Sequence, residues 1–183
     1  MKEAQDIWLH NERVAQKFSR IEAKLEEAKD LRDLFEKLLA GIEDEFQIPF
    51  VWINLTDGPQ LTGLRKMLTE SDALKHRVKT VGSEMLRALF DGRNEPVLAN
   101  RDLTSFYKLM PRRRKYFIRS IASAPITVKG VIVGALNHAD SSPDRYRPDM
   151  DTALLRQTMT KLDQRLTDLL PKTAAEPPAT EAD

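Results

Sequence analysis

The stretch YFIRSIASAPITVKGVIVGALNHA, residues 116–139, decides the fold. Two runs rich in Ile, Val, Ala and Thr meet at Lys129-Gly130, and a short connection with glycine at a left-handed position is typical of an antiparallel β-hairpin. Because both runs are apolar almost throughout, they predict central strands covered on both faces. Four of their residues are expected to be buried: Ala124, Ile126, Val133 and Leu136.

The register of this hairpin has two solutions. With a two-residue loop, Arg119 lies opposite Asp140. With a bulge at Gly130, the pairing moves by one residue and Arg119 lies opposite Ala139. The sequence alone favours neither register.

Composition limits the classes of function. The chain has 183 residues, enough for one core plus an additional helix or tail, and its 29 basic and 28 acidic residues give a net charge of +1. The net charge is therefore too small to attract nucleic acid or an anionic membrane to the protein as a whole. The absence of cysteine excludes disulfides and thiolate chemistry and favours a reducing compartment, so we expect a cytoplasmic protein. No apolar run approaches the roughly 18 residues of a membrane span, and we expect neither secretion nor insertion.

The first 46 residues lack proline and contain only Gly41, which predicts one long helix or two abutting helices. Apolar residues first follow the narrow seam of a coiled coil, with an asparagine at one seam position. The seam consists of Ile7, Asn11, Val14, Phe18, Ile21, Leu25 and Ala28. It is interpreted either as a self-associating stalk, which predicts a homodimer, or as an amphipathic helix packed on its own domain.

A wider apolar stripe follows the seam and predicts a helix lying on a globular core. We therefore divide the chain into a helical, coiled-coil-like segment at 1–28, a domain at 29–170 and a disordered tail at 171–183.

Shorter elements fill the middle of the chain. The pattern predicts strands at 49–56, 75–81 and 96–99, the last two at sheet edges, and a short helix near 61–68. Ser83 is expected to cap a further helix. Pro148 is expected in the first turn of a closing helix that Pro171 ends.

A candidate pocket begins on the strand PFVWINLT, where Trp52 and Asn54 share one face. An aromatic ring beside an amide can line a pocket with one polar contact point, although a core tryptophan and an amide bonded to loop backbone explain the pattern equally. The full candidate ligand-binding set is Trp52, Asn54, Arg119, Asn137 and His138.

A dense basic run occupies residues 112–115, next to the aromatic residues Tyr107, Tyr116 and Phe117. We interpret Arg112, Arg113, Arg114 and Lys115 as an exposed, solvated loop. Nucleic-acid association through phosphates and stacked bases is the alternative, and no recognised nucleic-acid motif accompanies it.

The order helix, strand, helix, strand, helix, strand, hairpin and closing helix predicts an α+β fold. The hairpin phrase from Arg119 to Leu136 resembles the closing strands of GAF domains. The segment SPDRYRPDMDT at 142–152 is similar to the bacterial GAF-like family called domain of unknown function four-eight-four. The resemblance covers residues 30–170 and is strongest over 117–155.

The resemblance implies a central antiparallel sheet of five or six strands flanked by helices, in a sensor or adaptor module that dimerises through terminal helices. It implies binding of a small molecule or a protein partner rather than catalysis. The asparagine-lysine-phenylalanine-aspartate-glutamate signature of cyclic-nucleotide-binding members is missing. There is also no cysteine for thioether attachment of a bilin, so cyclic nucleotides and bilins are both disfavoured as ligands. The cysteine-dependent methionine sulfoxide reductase members are excluded as models for the same reason. No cofactor is indicated, and a partner is expected to carry the output.

Catalytic motifs are also missing from the sequence. His10, His76 and His138 lie far apart, and none belongs to a HExxH motif, a GxSxG elbow or a P-loop. His138, at the end of a strand beside Asn137, is where a ligand or haem iron can be reached, but a hydrogen-bonded histidine at a strand end explains it as well. We therefore expect no enzymatic activity, with an unrecognised enzyme as the last alternative.

Overall fold

The computed structural model describes residues 1–171, which form five helices and one five-stranded sheet. The helices are α1 (Lys2–Glu26), α2 (Leu31–Phe46), α3 (Thr62–Thr69), α4 (Ser83–Leu89) and α5 (Ala153–Leu169). The strands are β1 (Phe50–Thr56), β2 (Val78–Val81), β3 (Val97–Ala99), β4 (Ser120–Val128) and β5 (Val131–Asp140). This confirms the predicted α+β class. Apart from Pro171, the predicted tail lies outside the described residues.

The sheet has the strand order β2-β1-β5-β4-β3, so β2 and β3 form its edges as predicted. Neighbouring strands are antiparallel except β1 and β2, which are parallel. The sheet is therefore mixed rather than wholly antiparallel. In the part of the chain that the structure describes, no helix is both long enough and apolar enough to cross a membrane.

The hairpin turn has two residues, Lys129 and Gly130, and both have positive φ angles, 50° and 78°. Left-handed backbone at both central positions matches the twist of the flanking strands. The two-residue loop, one of the two predicted alternatives, is therefore correct.

The register farther along the hairpin differs from both predictions. After Thr127 pairs with Ile132, the ladder resumes with Ile126 opposite Gly134, so Val133 is an extra residue in β5. This bulge moves the pairing so that Ser120 lies opposite Asp140. Arg119 precedes β4, and its backbone N–H donates to the Asp140 carbonyl at 2.8 Å.

Both faces of the sheet are covered. One face packs against α1, α2, α3 and α5, and the other against α4 and the segment that leads from β3 to β4. The four hairpin residues predicted to be buried expose at most 6% of their surface, which confirms the prediction.

The predicted seam of α1 has two different environments. Ile21 and Leu25 are fully buried, and the Phe18 ring lies 4.8 Å from the Phe46 ring of α2. Residues 1–13 are all exposed, including Ile7 at 57% and Trp8 at 61%. The second half of the seam therefore packs on the chain's own domain, whereas the stalk remains a prediction for the first half. The division at residue 28 also remains a prediction.

Two predicted helix starts are wrong. Gly82, not Ser83, is the N-cap residue of α4, and no side chain caps that helix. The closing helix α5 begins only at Ala153. Pro148 precedes it, as the second residue of a turn in which the Met150 N–H donates to the Arg147 carbonyl at 3.1 Å. A proline fits that turn position as well as it fits a first helical turn.

The predicted strand at 75–81 is shorter than expected. The Lys75 N–H donates to the Ser71 carbonyl and the Arg77 N–H to the Leu74 carbonyl, so both residues belong to turns. Strand β2 begins only at Val78.

Candidate functional site

A network of buried amides lies at the centre of the sheet. Trp52 and Asn54 on β1 share a face with Asn137 on β5, because Trp52 pairs directly with Asn137. The Asn137 Nδ2 donates to the Asn54 Oδ1 at 2.7 Å, and the Ser123 hydroxyl donates to the Asn137 Oδ1 at 2.6 Å. Three adjacent strands thus supply one continuous chain of polar groups.

The chain's own backbone occupies the open end of this network. The Leu109 carbonyl accepts hydrogen bonds from the Trp52 Nε1 at 2.8 Å and from the Asn54 Nδ2 at 3.1 Å. Trp52, Asn54 and Asn137 expose at most 2% of their surface. A ligand that contacts the two amides would therefore have to displace Leu109. Such a ligand would break two hydrogen bonds in a region of low dielectric, where unpaired groups are costly.

The other two residues of the predicted set lie elsewhere. His138 follows Asn137 directly, and successive residues of a strand point to opposite faces. His138, which pairs with Val51 and Ala122, therefore lies on the face that α1, α2, α3 and α5 cover. Arg119 is exposed just before β4. The structure therefore brings together three of the five predicted residues.

Sequence analysis missed two members of the network. Ser123 pairs with Asn137 across β4 and β5, so the two side chains share a face. A serine inside an otherwise apolar hairpin could have indicated a buried polar contact. The role of Leu109 depends on a backbone carbonyl in an irregular segment, for which the sequence carries no signal.

His138 lies in a second buried polar cluster. Its ring lies 6.2 Å from the ring of Tyr146, and neither its Nε2 nor the Tyr146 hydroxyl has a hydrogen-bond partner within residues 1–171. Arg145 is beside them, donating to the Phe46 carbonyl and lying 3.9 Å from the Asp140 carboxylate. Burial, and secondarily the charge of Arg145, lowers the pKa of His138 from 6.5 to about 4, and burial raises the pKa of Tyr146. The imidazole is therefore neutral at physiological pH.

The depressed pKa of His138 predicts a pH-dependent stability. Because the unfolded chain binds a proton more readily, the free energy of unfolding should fall as the pH drops from about 6.5 to about 4, by up to roughly 3 kcal/mol. The variant His138→Gln should lose this component. Urea unfolding at several pH values measures the difference, and the exposed His76→Gln is the control. Equal pH dependence in the wild type and His138→Gln would contradict the assignment.

The basic run is exposed, as predicted. Arg112, Arg113 and Arg114 are exposed and Lys115 is partly exposed. Within residues 1–171, no group of three or more His, Asp or Glu side chains is placed to hold a metal ion.

A cavity lies on the opposite side of the sheet from the amide network. It has a volume of about 570 Å³ and is lined by the connection between α1 and α2, by α3 and by the end of α5, including Leu31, Leu64 and Leu170. No predicted site residue lines it.

Comparisons with known proteins support the fold. No protein-family model matches the chain, and no curated protein sequence matches it. A solved structure, the GAF domain from an Acinetobacter phosphoenolpyruvate-protein phosphotransferase, matches with a TM-score of 0.53 and 15% sequence identity. The match covers 84% of this chain and 92% of that domain. The chain therefore has a GAF-like fold.

Proposed function

We propose that the chain is a non-catalytic GAF-like adaptor of the cytoplasm that forms a homodimer through the first half of α1 and acts by contact with a protein partner. The observation that carries this proposal is the exposed apolar surface of α1. The closed amide network supports it as well, because the face predicted to hold a ligand is filled by the chain itself.

The first half of α1 extends beyond its intramolecular partners. Helix α2 ends at Phe46, whose ring contacts that of Phe18, and α5 hydrogen-bonds to α1 at Glu22 through the Thr158 hydroxyl at 2.9 Å. The exposed residues 1–13 correspond to a helical length of about 20 Å. These residues extend the anchored helix α1 into solvent, and packing against a second copy would cover their apolar side chains.

The exposed apolar side chains of this segment favour association. Ile7 lies on the seam and Trp8 directly follows it, and they expose 57% and 61% of their surface. Burial of each large apolar side chain is worth roughly 1.5–3 kcal/mol, and two copies contribute twice. Asn11 on the same seam would lower stability while selecting one register.

A truncation tests the proposal. Deletion of residues 1–13 should halve the mass measured by light scattering at tens of micromolar while the melting temperature of the domain is retained, because the buried Ile21 and Leu25 remain. A deletion through residue 28 would remove core side chains and would not be informative.

Point variants give a matched control. Ile7→Glu with Trp8→Glu should also give a monomer, whereas Gln5→Glu with Gln16→Glu adds the same charge outside the seam and should leave the dimer intact. A full-length chain that is already monomeric at this concentration would refute the dimer.

We also propose that the chain belongs with the bacterial family domain of unknown function four-eight-four. Support comes from the segment 142–152, which forms the turns leading into α5 and whose Arg145 joins the cluster at His138. A small-molecule ligand on the amide face is the second candidate. Such a ligand would have to replace the Leu109 carbonyl at Trp52 and Asn54, and native mass spectrometry of the purified protein would detect it.

A further inference from the structure

We propose that the segment 107–119, here called the basic platform, is a binding surface for single-stranded nucleic acid. The proposal is independent of the homodimer and of the closed amide network. It rests on three properties of the platform within residues 1–171: buried residues at both ends, cations without ion-pair partners, and exposed aromatic rings.

Buried side chains anchor the platform at both ends. Leu109 and Met110 at its start and Ile118 at its end expose between 0% and 5% of their surface. Between these anchors, two turns are closed by the Arg114 N–H donating to the Pro111 carbonyl and by the Phe117 N–H donating to the Arg114 carbonyl, each at 2.9 Å. The side chains between the anchors are therefore presented from two consecutive hydrogen-bonded turns.

No carboxylate within residues 1–171 neutralises the positive charge of the platform. None of the cations at 112–115 lies within ion-pair distance of a carboxylate in residues 1–171. Lys79 adds a further cation, because its Nζ donates to the Lys108 carbonyl at 2.6 Å and to the Met110 carbonyl at 3.2 Å. Burial lowers the pKa of Lys79, and so do the charges of Arg112 and Lys115. These cations are thus close enough to repel one another, and binding of a polyanion would relieve that repulsion.

Aromatic rings are exposed beside these cations. Tyr116 exposes 81% of its surface, Phe117 62% and Tyr107 47%. The Lys115 Nζ lies 5.2 Å from the centroid of the Tyr116 ring, so phosphate contacts and a stacking surface are adjacent. Exposed rings next to a basic surface are the chemistry by which proteins bind unpaired bases and their backbone.

The shape of the platform favours single strands over other polyanions. It contains turns rather than a helix or two-stranded ribbon that would enter a duplex groove. Two of its three exposed rings carry hydroxyl groups, and no exposed large aliphatic side chain accompanies them, so it lacks the apolar wedge of a membrane-inserting surface.

Fluorescence anisotropy of the full-length chain with labelled oligothymidylate and oligouridylate of about 12 nucleotides tests the proposal. Four phosphate contacts should give a slope of about −3 for log K against log salt. Changing the four cations at 112–115 to glutamine should weaken binding at least about tenfold, while changing four exposed cations elsewhere should not. The control cations are Lys24, Lys29, Lys66 and Arg87.

A second variant separates stacking from charge. Tyr116→Ala with Phe117→Ala should weaken binding about tenfold and leave the salt slope unchanged. The proposal is overturned if this variant binds as tightly as the wild type, if a polyglutamate peptide competes as well as the oligonucleotide, or if only phosphatidylserine vesicles are bound. Absence of binding at low salt would overturn it as well.

Discussion

Replacing Leu136 with aspartate is expected to unfold the domain. Leu136 is fully buried on the central strand β5, where it lies opposite Ile53 and Ala124 and contributes to the core beneath the helices. Removing its side chain alone costs about 2–5 kcal/mol, and a carboxylate in the same position has no cationic partner. Since a domain is stable by only about 5–15 kcal/mol, the combined loss approaches the whole stability.

The control for this substitution lies on the same strand. Val131→Asp places the same carboxylate on β5, but Val131 exposes 65% of its surface beside the turn, and the variant should remain folded. Circular dichroism and thermal melting of both variants give the comparison. A soluble Leu136→Asp protein with an unchanged melting temperature would show that the hairpin is not the core of the sheet.

Gly134→Ala is expected to destabilise the sheet by about 2–3 kcal/mol, although it adds only one methyl group. An added Cβ at Gly134 would lie 2.3 Å from the backbone carbonyl oxygen of Asn54 and 3.0 Å from the Leu55 side chain. Backbone cannot yield as a flexible side chain does, so β1 and β5 would have to separate. That separation would also disturb the hydrogen bond between Asn54 and Asn137.

A second glycine supplies the control. Gly63 lies in α3, and an added Cβ there would meet no atom within 4 Å. Gly63→Ala should therefore stabilise the protein by about 0.4–1 kcal/mol through the lower entropy of the unfolded chain. Chemical denaturation of both variants measures the contrast. Equal changes in the two unfolding free energies would mean that β1 and β5 do not approach as closely as described.

The hairpin could be predicted from sequence because its two apolar runs and Lys129-Gly130 all specify the same structure. The bulge at Val133 was missed because the isolated Gly134 that follows it, a residue type that often marks a bulge inside a strand, was not taken as a signal. For the same reason, the partner of Arg119 was wrong in both predicted registers.

The candidate site was predicted only in part. Alternation correctly placed Trp52 and Asn54 on one face, and it also separates Asn137 from His138, which the predicted set had combined. The closing contact from Leu109 depends on how an irregular segment folds over the sheet, and local sequence patterns do not specify that.

The seam of α1 shows another limit of periodicity. The same spacing continues through Ile7, Phe18 and Leu25, yet Leu25 is buried in the domain and Ile7 is exposed. A hydrophobic stripe indicates that a helix face needs a partner, and it does not say whether that partner is the same chain.

Pulsed electron spin resonance tests the homodimer most directly. The chain has no cysteine, so Gln5→Cys gives a single spin-label position in the exposed half of α1. Paired helices lie about 8–10 Å apart, and two such labels should therefore show a narrow distribution of short distances. A label at Glu95, on the loop before β3, should show a longer distance. If no dipolar coupling is measured at position 5, dimerisation through α1 is contradicted. It is also contradicted if the distance between labels is shorter at position 95 than at position 5.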